Sequence, residues 1–289
     1  DELRDIHGRE RLLISIDQEG GRVQRMKGPH WQIFPPGDVF ATLYRKAPAS
    51  AIEAARANAQ ALALDLAEVG ITVDYLPLLD VRQPGAHDVI GDRALGEEPM
   101  QVAALGRALL DGLARGGVTG CIKHMPGHGR ALADSHKELP VVTASAAELE
   151  ADLAPFQKLA KAPIGMTAHV VYTAWDAELP ATLSPYVVSE IIRARIGFDG
   201  LLLTDDIDMQ ALAGMIPERA AGAIAAGCDI VLNCWAKMAE MEGIAAACPA
   251  ITPAGAARLE RALAHAGPPQ GEQAELLAKR DALLALVAA

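Results

Sequence analysis

The chain has 289 residues, 51% of them hydrophobic, and a formal net charge of −11 at pH 7. This is enough for one large core, and no Pro-, Gly- or Ser-rich linker divides the chain, so we predict a single domain over 1–289. The negative charge and the lack of a basic cluster argue against nucleic acid or an anionic membrane surface as a partner, and no apolar run is long enough for a transmembrane helix.

The spacing of apolar residues predicts strands that alternate with helices along the chain. The predicted strands are 12–17, 71–80, 118–124, 164–171, 201–205 and 229–234, and the predicted helices are 50–69, 99–115, 145–161 and 217–226. A last helix, 272–289, follows a Gly-Pro-Pro turn and is expected to pack on the rest as a C-terminal helix. This alternation predicts a parallel sheet covered by helices.

Polar residues follow several different strands, which favours a ring of strands around one mouth over a doubly wound sheet with a single crevice. We therefore predict an α/β fold of the single-domain TIM-like (β/α)8 barrel type. The chain starts without a methionine inside a predicted amphipathic helix, 1–7, so we expect the first barrel strand to be missing at the N-terminus. The stretch 246–252 is the remaining candidate for an eighth strand.

The first predicted strand runs directly into the segment Asp17-Gln-Glu-Gly-Gly-Arg-Val-Gln-Arg25. Its glycine pair permits a tight turn, and Asp17 and Arg25 can converge on a polar ligand above that turn. The spacing differs from G-x-G-x-x-G, so the segment is not a dinucleotide-binding fingerprint.

The third predicted strand ends in Lys123-His-Met-Pro-Gly-His-Gly129, and Asp134 and His136 follow a few residues later. His124 and His128 would form half of a zinc site on a helix, but the proline and glycines between and beside them disfavour a helix. Asp134 and His136 are two residues apart, so the carboxylate can orient the imidazole and the pair can transfer protons. The alternative is an aspartate that caps a turn beside an exposed histidine.

The fifth predicted strand ends in Asp205-Asp206, followed by Asp208. Consecutive strand residues point to opposite faces, so only one of the first two carboxylates can enter a barrel mouth, where it is a candidate nucleophile. For Asp206 and Asp208 we favour a different role, N-capping of a helix that begins near Asp208.

Other polar residues near strand ends have mainly structural interpretations. Asp74 and Asp80 share one face of the second strand, and a structural role is expected for both. His169 lies inside an apolar strand, which is typical of a hydrogen-bonded core histidine. Arg93 lies on the long loop after the second strand, where it can anchor a ligand or form a surface ion pair with a nearby aspartate.

Taken together, these motifs resemble those of the β-N-acetylhexosaminidases of glycoside hydrolase family 3, bacterial enzymes that remove N-acetylglucosamine from cell-wall fragments. The resemblance rests on the 17–25 run, the 123–129 block with Asp134-Ser-His136, and Thr204-Asp205-Asp206, with Val89-Ile-Gly-Asp-Arg93 between the first two. Long motifs in a fixed order are far more specific than one short pattern. Met125 departs from the Phe that is common in the family, a change expected to alter packing more than chemistry.

The resemblance implies a retaining exo-β-N-acetylglucosaminidase acting on short peptidoglycan fragments through a covalent intermediate. Asp205 would be the nucleophile and His136 the general acid/base, with Asp134 as its partner. An imidazole titrates near neutral pH, so it can donate and recover a proton where most glycosidases use a second carboxylic acid. The residues that would hold the sugar and its acetamido group are Asp17, Arg25, Arg93, Lys123 and His124.

Three other activities fit the same residues. A family 3 phosphorylase would use phosphate in place of water, because a neutral histidine does not repel it, and a family 3 β-glucosidase would take a different sugar. A metal-dependent barrel hydrolase could use the histidines and Asp205 as ligands. The leading hypothesis needs no metal and no cofactor, and its partner is a small saccharide, an N-acetylglucosamine-containing muropeptide fragment, in the cytoplasm.

Overall fold

A computed structural model describes residues 2–9 and 11–287 of the chain. The described strands are β1 Ser15–Ile16, β2 Gln18–Gly20, β3 Val23–Gln24, β4 Val73–Asp74, β5 Thr119–Met125, β6 Val141–Val142, β7 Ile164–Thr167, β8 Val171–Tyr172, β9 Leu201–Asp206 and β10 Ile230–Leu232. The α-helices are α1 Glu2–His7, α2 Gly37–Lys46, α3 Pro48–Glu68, α4 Pro99–Arg115, α5 Glu150–Lys158, α6 Ile216–Ala226, α7 Met238–Ala247, α8 Pro253–Leu263 and α9 Gln273–Leu284. Short 3₁₀ turns cover Gly91–Arg93 and Ala285–Val287, and a π-helical segment covers Val187–Arg195.

One parallel sheet of six strands forms the centre of the molecule, in the order β1-β4-β5-β7-β9-β10. The α/β class and all six predicted strands are confirmed, and each predicted range overlaps one of these strands. Because all strands run the same way, their carboxyl ends meet at one edge of the sheet. The described part of the chain shows six strands in this sheet, so an eight-stranded barrel stays a prediction.

The predicted eighth strand at 246–252 is wrong. Its first two residues end α7, and the remainder leads in extended form to α8. Thr252 is the N-cap of α8 and accepts a hydrogen bond from Gly255 N, while Pro253 occupies the first helical position. An apolar run followed by Thr-Pro is therefore better read as an approach to a helix than as a strand.

Helices α3 and α4 pack closely against each other behind the sheet. Their contact face is rich in alanine and glycine, and a Cβ on Gly112 of α4 would collide with the carbonyl of Arg56 in α3. Small side chains let the two backbones approach closely. This close packing buries the apolar side chains between the two helices and the first strands of the sheet. None of the helices in the described ranges is long and apolar enough to cross a membrane.

The C-terminal helix α9 lies on the outer side of α3. Arg280 Nη1 donates to Asn58 Oδ1 at 3.2 Å, and Gln273 Nε2 donates to Asp65 Oδ1 at 2.6 Å. The predicted helix 272–289 thus corresponds to Gln273–Leu284 and a 3₁₀ turn, and its last two residues, 288–289, lie outside the described ranges. The predicted N-terminal helix 1–7 corresponds to Glu2–His7, and Asp1 is likewise outside them.

Candidate active site

A cavity of about 240 Å³ opens at the carboxyl edge of the sheet. Seven of the eight residues singled out in the sequence line it: Asp17, Arg25, Arg93, Lys123, His124, His136 and Asp205. The eighth, Asp134, contacts His136 from within the same loop. The structure therefore brings together, in one concave polar site, side chains that come from four separate strand ends and the loops that follow them.

The floor of the cavity contains a compact cluster of opposite charges. Lys123 Nζ lies 2.6 Å from Glu19 Oε1 and 2.9 Å from Asp17 Oδ1. Arg93 donates through Nη2 and Nε to the two oxygens of Glu19, at 2.8 and 2.7 Å. Arg25 Nη2 reaches Asp17 Oδ2 at 3.3 Å. The surface ion pair considered for Arg93 is wrong, since its guanidinium binds Glu19 in a bidentate pair.

These contacts keep Glu19 and Lys123 ionised although both side chains are shielded from water. Burial alone would raise the pKa of Glu19, but the Lys123 ammonium and the Arg93 guanidinium outweigh it and lower that pKa to about 2. Burial also opposes the charge on Lys123, and the carboxylates of Asp17 and Glu19 outweigh it and raise its pKa. Fixed charges of this kind need no reorganisation when a polar ligand enters.

Asp80 fixes His124, which lies in β5, and His128, which lies in the turn after it. Its Oδ2 lies 2.8 Å from His124 Nδ1, and its Oδ1 accepts the backbone N–H groups of His124 and His128 at 3.2 and 2.6 Å. Burial raises the pKa of Asp80, but the neighbouring His124 more than compensates, so the pKa falls to about 2. The predicted structural role of Asp80 is confirmed, and it consists in orienting His124 toward Asp205.

Asp205 is the penultimate residue of β9 and lines the cavity. Its Oδ2 lies 3.9 Å from His124 Nε2, and its Oδ1 accepts the backbone N–H of Asp206 at 2.8 Å. Burial opposes its charge, yet His124 and His169 outweigh burial and lower the pKa of Asp205. His169 itself is a fully buried core residue, as predicted, with Nδ1 2.7 Å from Thr182 Oγ1. Asp205 is thus an ionised carboxylate whose Oδ2 is free of backbone hydrogen bonds.

The helix predicted to begin near Asp208 is wrong, because residues 207–215 form turns and α6 begins at Ile216. Asp206 and Asp208 instead accept hydrogen bonds from the loop after β10. Asp206 Oδ1 accepts Cys234 N at 3.0 Å, and Asp208 Oδ2 accepts Trp235 N at 3.0 Å. As predicted, only the first carboxylate of the Asp-Asp pair lines the cavity.

The Asp134–His136 pair lies at the rim of the cavity. Asp134 Oδ1 accepts the backbone N–H of His136 at 3.0 Å and lies 2.9 Å from its Nδ1. The His136 side chain is 64% exposed, and that of Asp134 is 16% exposed. Both interpretations of the spacing are therefore realised, since one carboxylate caps the turn and also orients the imidazole.

Three residues that shape the site were given no role from the sequence, Glu19, Ser135 and Arg22, and His128 was considered there only as a metal ligand. Glu19 is two residues after Asp17 and so projects to the same side of an extended segment, a signal that the sequence did contain. Arg22 lines the rim and holds the loop that carries Arg93, donating to the carbonyls of Asp88 and Val89 at 2.6 and 2.9 Å. Ser135 has no such signal in spacing alone.

The histidines do not assemble a metal site. Across residues 2–9 and 11–287, no group of three or more His, Cys, Asp or Glu side chains is arranged to hold a metal ion. One ring nitrogen of each of three histidines already has a hydrogen-bond partner: Asp80 for His124, Thr182 for His169 and Asp134 for His136.

Comparison with known proteins identifies the family of this chain. Residues 3–265 match the glycosyl hydrolase family 3 N terminal domain. The chain belongs to glycoside hydrolase family 3. Among its relatives, the β-hexosaminidase of Bordetella avium is 41% identical over 238 residues, 80% of this chain and 67% of that protein. The β-hexosaminidase of Alkalilimnicola ehrlichii is 42% identical over 228 residues, 77% of this chain and 65% of that protein.

Solved structures of family 3 enzymes are similar in fold. NagZ from Neisseria gonorrhoeae has a TM-score of 0.82 and 35% identity, covering 96% of this chain and 82% of that one. Its complex with N-trifluoroacetyl-D-glucosamine gives a TM-score of 0.80. The predicted assignment to a family 3 glycoside hydrolase of the β-N-acetylhexosaminidase type is confirmed. The matched region spans about two thirds of the length of the two relatives named above.

Proposed function

We propose that this family 3 chain is a retaining exo-β-N-acetylglucosaminidase that removes terminal non-reducing N-acetylglucosamine through a covalent glycosyl-Asp205 intermediate. One observation carries the proposal: an ionised carboxylate lies inside the cavity while an aspartate-supported imidazole lies at its rim. Retaining hydrolysis needs these two groups, a nucleophile beneath the anomeric carbon and a proton donor beside the leaving oxygen.

In the first step, an Asp205 oxygen attacks the anomeric carbon while His136 Nε2–H gives its proton to the departing oxygen. The glycosidic bond breaks, the aglycone leaves as an alcohol, and the sugar becomes an ester of Asp205. In the second step, neutral His136 takes a proton from water, which attacks the anomeric carbon and releases Asp205. Asp134 holds the imidazole through Nδ1 and stabilises its protonated form, which is present before the first step and is regenerated in the second.

The charged cluster would bind the sugar. Lys123 and Arg93 can donate hydrogen bonds to the sugar hydroxyls, Asp17 can accept them, and His124 can do either. Arg25 lies at the rim, where the free side of its guanidinium would meet the acetamido group. Hydroxyl groups satisfied by such a prearranged set are bound tightly in one orientation. We propose that the cavity, of about 240 Å³, holds the single terminal sugar on which an exo-acting enzyme works.

The same proposal includes the natural substrate, the cellular location of the protein and the architecture of its domain. Short muropeptide fragments of peptidoglycan and the cytoplasm are inferred from the family resemblance, and the complex of NagZ from Neisseria gonorrhoeae with N-trifluoroacetyl-D-glucosamine supports an N-acylated amino sugar. We also propose that the parallel sheet belongs to a (β/α)8 barrel that forms a single catalytic domain, with the C-terminal helix packed on it. The gathering of site residues at one sheet edge supports this.

Two experiments test the mechanism. The anomeric form of the first product, followed by NMR, is expected to be β, and an activated fluoroglycoside is expected to leave an adduct on the peptide that contains Asp205. Initial release of the α-anomer, or an adduct on another residue, would contradict it. Adding phosphate separates hydrolysis from phosphorolysis, because only the latter yields the sugar 1-phosphate.

A further inference from the structure

His136 and Asp134 do not fix their own position in the molecule. The hydrogen bonds of the His136 side chain and backbone N–H both run to Asp134, two residues away in the same loop. The carbonyl of Asp134 accepts from Lys137 N and Glu138 N, which is again local. A pair tied only to itself could move as a unit away from Asp205.

The residue between them, Ser135, is the anchor of this loop. Ser135 is only 3% exposed, although its neighbour His136 is exposed and lines the cavity. Its Oγ lies 3.2 Å from His128 Nε2, and its carbonyl oxygen accepts Ala211 N at 3.2 Å. Within residues 132–138, all of them described, these are the hydrogen bonds that reach other parts of the chain.

His128 is itself held firmly by the end of the sheet. Its backbone N–H donates to Asp80 Oδ1 at 2.6 Å, and its ring packs edge-on against His124 with 5.8 Å between centroids. His128 is 3% exposed. Burial, reinforced by His124, lowers the pKa of His128 to about 4, so the ring is neutral at neutral pH. Its second nitrogen, Nδ1, has no hydrogen-bond partner, so the hydroxyl of Ser135 is the polar contact that the ring makes.

We propose that His128 is a positioning residue for the acid/base: its hydrogen bond with the Ser135 hydroxyl holds His136 at the rim of the cavity, facing Asp205. The inference rests on the proposed function, in which His136 moves the proton. Asp80 completes the arrangement, since one carboxylate orients His124 beside the nucleophile and His128 beneath the acid/base loop. The relative position of the two catalytic groups is thereby set from a single buried point.

The test uses Ser135→Ala, with Ser135→Thr retaining the hydroxyl and the exposed Ser189→Ala as a matched control. Hydrolysis of aryl β-N-acetylglucosaminides is measured over leaving groups of graded acidity. A displaced acid matters most for poor leaving groups, so Ser135→Ala is expected to lose about tenfold in kcat/KM there and little on a dinitrophenyl glycoside. Ser135→Thr is expected to restore the rate on poor leaving groups, and Ser189→Ala to match the unsubstituted chain.

A double-mutant cycle and hydrogen exchange complete the test. If the two residues act through one bond, Ser135→Ala in a His128→Leu background is expected to cost no further activity. Amide exchange over 134–138 is expected to accelerate in Ser135→Ala, whether or not the chain hydrolyses the glycosides. Unchanged exchange, or equal losses on all leaving groups, overturns the positioning role. Faster exchange in a chain that lacks hydrolase activity would support the anchor and reject the proposed function.

Discussion

Lys123 Nζ lies 2.6 Å from Glu19 Oε1, and the side chains of both residues are at most 4% exposed. A lysine so deeply buried is stable as a cation only when carboxylates surround it. Glu19 also receives both donors of Arg93, so one carboxylate orients the two cations at the floor of the cavity. Asp17, the second partner of Lys123, retains an oxygen toward Arg25 at the rim.

Glu19→Gln is expected to destabilise the fold and to weaken sugar binding, because it removes the carboxylate that pairs with Arg93 and one of the two that pair with Lys123. Losing one partner of a buried ion pair costs about 3 kcal/mol in the free energy of unfolding. Denaturant unfolding checks the first effect, and KM for an aryl N-acetylglucosaminide checks the second. Asp88→Asn is a matched control, since Asp88 is 86% exposed and its pairing with Arg82 contributes little.

Stability is expected to fall at acid pH through the same groups. The pKa of Glu19 is lowered from 4.5 to about 2, and that of Asp80 from 3.8 to about 2. In both cases the unfolded chain binds protons first, so the stabilisation is complete above the ordinary pKa and is lost as the pH falls toward about 2. Unfolding free energies measured across that window are expected to decline less steeply in Glu19→Gln. An identical slope in both proteins would show that the ion cluster is not responsible.

Asp80→Asn is expected to lower kcat/KM by about tenfold or more without abolishing the fold. The amide can still accept one backbone N–H, but it holds the His124 imidazole less firmly, and an oriented imidazole depends on its carboxylate partner. Kinetics beside a thermal melt separate the two effects. Asp74→Asn serves as the comparison, because Asp74 is buried on the same part of the chain and contacts Gln18 N rather than a histidine. Equal kinetic losses in both variants would point to a general packing defect.

His136→Ala is expected to lose about 10²-fold to 10⁴-fold in rate on substrates with poor leaving groups and much less on activated ones. The physical reason is that an acidic phenol leaves without a proton. Asp134→Asn is expected to produce a smaller loss of the same kind, since it keeps the turn but weakens the support of the imidazolium. Full activity of His136→Ala on a poor leaving group would remove the residue from the mechanism.

The residues that line the cavity could be predicted from the sequence, because parallel strands bring their carboxyl ends to one edge of the sheet. Asp17, Lys123 and Asp205 each follow an apolar run, so topology alone predicts that they meet. The motifs around them were long enough to identify the family. The helix predicted near Asp208 shows the limit of local capping signals. The carboxylates of Asp206 and Asp208 do accept backbone N–H groups, but these groups belong to the loop after β10 and not to a helix.

The contacts that hold these residues in place could not be predicted from the sequence, because they depend on how distant elements pack against each other. Asp80 meets His128 only because the end of the second predicted strand packs beside the turn after β5. Ser135 is small and unremarkable in sequence, and its burial against His128 depends on how the loop folds back. Likewise, only the structure shows that Thr252 caps α8 and that the apolar run before it leads into a helix.

The central claim is that Asp205 is the nucleophile of an enzyme selective for N-acetylglucosamine. The most direct measurement compares hydrolysis of nitrophenyl β-N-acetylglucosaminide and nitrophenyl β-glucoside by the unsubstituted chain, by Asp205→Asn and by the neighbouring Asp206→Asn. We predict preference for the acetamido sugar, its abolition in Asp205→Asn and its retention in Asp206→Asn. Equal rates on both sugars, or activity that survives in folded Asp205→Asn, would contradict the account.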